Sequence, residues 1–63
     1  MTAGDFVIFV ADPLMYGRMI IVEVTPDARL LCEAVHADRH GDYARDIFDP
    51  QELKLAAKWS AIA

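Results

Sequence analysis

Disulfide cross-links are the first thing this chain cannot build within itself, because Cys32 is its single cysteine in 63 residues. Stability must then come from an efficient core or from association with another chain. Glycine is scarce too: Gly4, Gly17 and Gly41 are isolated from one another, so no glycine-rich phosphate loop exists. Basic residues are few, six Lys and Arg against ten Asp and Glu for a formal charge of −4, and no two are adjacent. That excludes the basic stripe of a protein that tracks nucleic-acid phosphates. Long hydrophobic runs are missing as well. The longest run of large apolar residues, Phe6-Val7-Ile8-Phe9-Val10, is far short of the roughly 18 residues of a membrane-spanning helix and is followed by Asp12-Pro13 after one alanine. Met1-Thr2-Ala3-Gly4-Asp5 has no basic region of the secretory kind, so the expected compartment is the cytoplasm and no membrane partner is expected.

What the chain has in quantity is apolar side chains, 56% of its residues. A domain of about 60 residues buries only roughly 60% of the surface that its unfolded chain exposes. Part of the apolar surface is therefore expected to face a partner or a second copy. The length allows one domain, residues 1–63, with 57–63 as a tail or docking element. It leaves little room for an enzyme cleft of about 300 to 1,000 Å³.

The apolar residues fall into short β-branched and aromatic runs separated by turn residues. Phe6 to Ala11 reads as a first strand ended by Asp12-Pro13. Leu14-Met15-Tyr16-Gly17 reads as a loop with apolar side chains, and Arg18 opens a second strand through Val24. Glu23 marks the register of that strand. With Glu23 toward water, strict alternation sends Met19 and Ile21 outward and Ile20, Val22 and Val24 inward. Thr25-Pro26-Asp27-Ala28 is a turn by its chemistry. The third strand, Arg29 to Ala37, carries Glu33, which places Leu31 and Val35 outward and Cys32 and Ala34 inward, with Leu30 joining them if the start of the strand is bulged. A polar loop, Asp38-Arg39-His40-Gly41-Asp42, leads to a fourth strand from Tyr43 to Phe48.

Asp49-Pro50-Gln51-Glu52 is a helix-start signal, with an acid at the cap, proline at the first helical position and glutamate three residues after the cap. Two continuations fit. One is a helix from Pro50 to Ile62 with Leu55, Trp59 and Ile62 on one face; the other is a single tight turn that releases Leu53 to Ala56 as a fifth strand. The pattern predicts a mainly β fold, a small SH3-like barrel of four to five antiparallel strands with a short helical turn near the C-terminus.

Gly4-Asp5-Phe6-Val7, Gly17-Arg18-Met19-Ile20-Ile21-Val22, Cys32-Glu33-Ala34-Val35 and Phe48-Asp49-Pro50-Gln51-Glu52-Leu53 together resemble the YodC-like family of small bacterial and phage proteins. The resemblance spans about residues 4 to 55 and implies an SH3-like fold, with no activity attached. Ala34-Val35 stand where that family usually has an aromatic pair, and the first loop lacks its glycine pair. The chain is also broadly similar to the small barrels of plasmid-type dihydrofolate reductases. Their Val-Gln-Ile-Tyr pore segment is replaced here by Ala44-Arg45-Asp46-Ile47.

Chemistry-bearing residues are sparse. Glu33, His36, Asp38, His40 and Asp42 are of metal-ligand type, but a turn divides them, so no metal or other cofactor is expected. Cys32 and Ser60 have no base and orienting group in reach of the sequence, so no catalytic residue is named. What remains is recognition: a non-enzymatic module that binds itself or a larger protein through Tyr16, Met19, Ile21, Leu31, Val35, Tyr43 and Trp59. The alternative expectation is an acidic inhibitor of phage or mobile-element type, for example an anti-CRISPR. It would block a nucleic-acid-binding host protein with Asp38, Asp42, Asp46, Asp49 and Glu52.

Overall fold

A computed structural model describes residues 1–56 of the chain. Five strands form an antiparallel sheet: β1 Phe6–Phe9, β2 Arg18–Val24, β3 Leu30–Ala34, β4 Arg45–Phe48 and β5 Leu53–Leu55. Their order across the sheet is β4-β3-β2-β1-β5. A helical turn, α1 Pro13–Tyr16, joins β1 to β2, and a 3₁₀ turn, Pro50–Glu52, joins β4 to β5.

Each turn follows from local chemistry. At Asp49 both halves of a capping box form: the Asp49 carboxylate accepts the Glu52 N–H, and the Asp49 N–H donates to Glu52 Oε1 at 2.8 Å. The turn then stops, because Leu53 is already extended at φ −120 and ψ 157. Of the two continuations after Pro50, the fifth strand is the one formed. It pairs antiparallel with β1 through Val7↔Leu55, Ile8↔Lys54 and Phe9↔Leu53.

The segment Leu14-Met15-Tyr16, expected as a loop, is helical instead. Pro13 occupies the first helical position, where its missing N–H costs nothing. Gly17, at φ 65, then reverses the chain directly into β2. The other strands are shorter than their apolar runs. β1 stops at Phe9 rather than Ala11, β3 spans 30–34 rather than 29–37, and β4 begins at Arg45 rather than Tyr43.

The expected register of β2 is reversed. Met19 and Ile21 are fully buried and Val22 is exposed, while Val24, opposite Leu30, keeps its expected side but is exposed at the end of the strand. The cause is a bulge: Ile21 pairs with Cys32, yet Glu23 pairs with Leu31, so Val22 and Glu23 together face one partner residue. The extra residue breaks the period of two between Glu23 and Ile21. Cys32 and Ala34 face inward as expected, and Leu30 joins them without a bulge in β3.

Val7, Met19, Ile21, Leu30, Cys32, Phe48 and Leu53 form the core, with Phe9 and Tyr16 packed against it. Two strands separate β1 from β4 in the sheet, so flat strands would hold them about 14 Å apart. Yet the Phe9 and Phe48 ring centroids are 5.1 Å apart. The sheet is therefore strongly curled around one core, although β4 and β5 do not pair to close it.

Candidate functional site

Three aromatic rings line the seam where the curled sheet comes back on itself. Phe9 from β1, Tyr16 from α1 and Phe48 from β4 stand 5.1 to 6.2 Å apart between centroids, in tilted and edge-on arrangements that aromatic rings prefer. The Tyr16 hydroxyl crosses the seam and donates to Asp46 Oδ2 at 2.8 Å. That bond, followed by partial burial and the Asp46 charge, raises the Tyr16 pKa above 10.0. Tyr16 is thus a seam residue, with its hydroxyl already engaged inside the chain.

Its helix neighbours point the other way. Leu14 is 93% exposed and Met15 60%, and Val10, just before the helix, is 52% exposed. Tyr16 and Pro13 fix the helical turn from both ends, so Leu14 and Met15 are held away from the core. Their apolar character in a loop is visible in the sequence; their near-complete exposure is not.

The sheet face opposite the core carries two rows, read from the strand pairing. One row is Phe6, Ile20, Glu33 and Arg45; the next includes Leu31 and Ile47. Glu33 and Arg45 are directly opposite and make a 2.6 Å ion pair. The Arg18 guanidinium lies over the Phe6 ring, 5.4 Å from its centroid. Val22 and Ile47 are exposed there, whereas Leu31 and Val35 are half-buried.

Of the side chains expected to meet a partner, Met19 and Ile21 are core residues, for the bulge reason given above. Ile20 and Val22 take their places outside. Tyr43 is exposed on the approach to β4, far in sequence from Tyr16. Trp59 lies outside the described residues. The five acids fall into separate local devices. Asp38 Oδ1 accepts the N–H groups of His40 and Asp42 within its own loop. Asp46 serves Tyr16 and the Ile47 N–H, and Asp49 and Glu52 cap each other's turn.

Among the described residues, no group of three His, Cys, Asp or Glu side chains is placed to hold a metal ion. Cys32 is buried in β3, and burial, aided by the Asp46 charge, pushes its thiol up to about 11. A neutral buried thiol is packing, not a nucleophile. An open depression lined by Gly4, Asp5, Phe6, Leu55 and Ala56 holds one carboxylate and no nucleophile–base pair. No helix among the described residues is long and apolar enough to cross a membrane. Comparison with protein-family models, with curated proteins and with solved structures finds no match.

Proposed function

We propose that this chain is a small, non-enzymatic protein-interaction module of the SH3-like barrel type that docks on a larger protein through the Leu14–Met15 turn. The observation that carries this reading is a leucine 93% exposed beside a methionine 60% exposed, on a helical turn anchored by Tyr16 to the core and to Asp46. Isolated exposed apolar residues are ordinary, but adjacent ones on a rigid turn form a pre-ordered contact at little conformational cost. The strand order and the one-turn helix before β5 support the barrel assignment, and with it the YodC-like resemblance. Gly17 opens β2, Cys32 is central in β3, and Phe48 and Leu53, which flank the 3₁₀ turn, are both buried. The inhibitor reading draws less support, since Asp38, Asp46, Asp49 and Glu52 all accept hydrogen bonds within the chain.

The test is a Leu14→Asp/Met15→Ser variant. Both side chains face water, so the melting curve should coincide with that of the wild type. The tagged wild-type chain should retain a protein from a native lysate at a defined stoichiometry, and the variant should lose it. Retention of the same protein by both chains removes the Leu14–Met15 turn as the docking surface.

A further inference from the structure

The outer edge of β4 is closed by side-chain carboxylates. Ala34 N–H donates to Ala44 C=O at 2.8 Å, which fixes the alternation of the β3–β4 ladder. Residues 44, 46 and 48 direct their backbone groups toward β3, and residues 45, 47 and 49 direct theirs away from the sheet. Such outward groups on an edge strand are a template for pairing with another chain. Here the Ile47 N–H donates to Asp46 Oδ1 and the Asp49 N–H to Glu52 Oε1, each at 2.8 Å. Consecutive outward donors are thus both occupied, by acids from the adjacent residue and from the next turn. Tyr16 fixes the first of these acids by holding its other oxygen.

We propose that the β4 edge is a strand-pairing surface for a second copy of this chain, held shut by Asp46 and Glu52. The charge pattern selects that occupant. An antiparallel pair with Ile47 opposite Ile47 of the second copy sets Arg45 opposite Asp49 of the second copy, joining opposite charges. Of the two neighbouring registers that keep the outward donors facing each other, one opposes Asp46 to Asp46, an unfavourable like-charge pair, and the other, with Phe48 opposite Phe48, sets Asp49 opposite Ile47 and gains no charge pair. The edge is self-complementary in one register, and that register needs the very N–H groups that the carboxylates occupy. This inference is independent of the Leu14–Met15 surface.

The experiment is the solution mass by light scattering over a concentration series for the wild type and the Asp46→Ala/Glu52→Ala variant. The wild type should pair weakly. Association of the variant should be about tenfold or more tighter, because each backbone hydrogen bond gained is worth roughly a factor of a few to ten. Tyr16→Phe removes the hydroxyl and leaves both edge donors covered, so it should associate no more tightly than the wild type. Adding Ile47→Pro to the double variant removes the central donor, in a position that an edge strand tolerates, and should restore the monomer. A dimer that survives Ile47→Pro forms through another face and overturns the proposal, as does a folded double variant that remains monomeric. Should the double variant not fold, amide exchange in the wild type decides: Ile47 and Asp49 should exchange more slowly than Arg45, and equal rates overturn the proposal.

Discussion

Cys32, an inward strand residue by its sequence setting, is chemically inert in the fold as well. Its Sγ lies 3.8 Å from the Leu30 carbonyl oxygen, and the residue is fully buried, which disfavours a thiolate. A thiol reagent such as Ellman's should therefore leave the native protein untouched at pH 8 and titrate one thiol after denaturation. Rapid labelling of the native chain would contradict this burial. Ala28 is a second residue-scale case. It is a non-glycine residue at φ 64, at the end of the Thr25 turn, where the Thr25 N–H donates to Arg29 C=O and the Ala28 N–H to Thr25 C=O. A left-handed conformation costs an alanine about 1 to 2 kcal/mol, against a somewhat smaller entropic cost for glycine in the unfolded chain. Ala28→Gly should accordingly raise the unfolding free energy by about 0.5 kcal/mol in urea titrations. The turn's side chains support the same geometry, for Thr25 Oγ1 donates to Asp27 and Arg29 Nε bonds the other oxygen of that carboxylate at 2.9 Å. Both bonds lower the Asp27 pKa below 3.8, the hydroxyl bond contributing most.

At the scale of the element, the bulge in β2 governs which side of the strand is chemistry and which is core. Ile21→Asp places a carboxylate in a fully buried site and should unfold the domain, whereas Val22→Asp, one residue on, should change stability by no more than about 0.5 kcal/mol. Equal costs at the two positions, measured by thermal melts, would mean that the bulge is misplaced. The same element shows where reading from sequence stops. Glu23 is a sound solvent marker, and it is exposed, but alternation transmits that information only along an unbroken ladder. One inserted residue inverts the assignment of every residue before it, so Met19 and Ile21 exchange roles with Ile20 and Val22. β3 has no insertion, and there Glu33 correctly places Leu31 and Val35 on one side and Cys32 and Ala34 on the other. Short-range chemistry was legible in the same way: Asp49, Pro50 and Glu52 spell a capping box, and the box is present. Whether a helix or a strand follows it depends on the β1 edge, which receives β5 at Leu53 and is invisible to any local pattern. Tyr16 and Asp46 illustrate the same limit, because 30 positions separate a pair that the curl brings to 2.8 Å.

At the scale of the molecule, the curl leaves a seam closed by side chains instead of a backbone ladder, and this makes the domain sensitive to base. Tyr16 and Cys32 are both held in their neutral forms: the phenol by its bond to Asp46, the thiol by burial. Each has a folded pKa above its unfolded value, 10.0 for tyrosine and 9.0 for the thiol. The unfolded chain therefore loses these protons first, and the native state binds more protons over this range. Stability from both groups is fully present below pH 9 and declines as pH rises through 9 toward the folded value of about 11 for Cys32, with Tyr16 adding to the decline above 10.0. A Tyr16→Phe/Cys32→Ala variant lacks both protons. It should be less stable than the wild type at pH 7, by about 1 kcal/mol for the lost hydroxyl bond and about 1 kcal/mol for the shortened core side chain. The decisive quantity is the gap between the two proteins in urea titrations. That gap should stay constant from pH 6 to 9 and narrow from pH 9 to 11, because only the wild type has these neutral acids to lose. A gap that keeps its full width to pH 11 would show that the seam holds without the Tyr16 proton, and that the aromatic packing of Phe9 and Phe48 alone keeps the sheet curled.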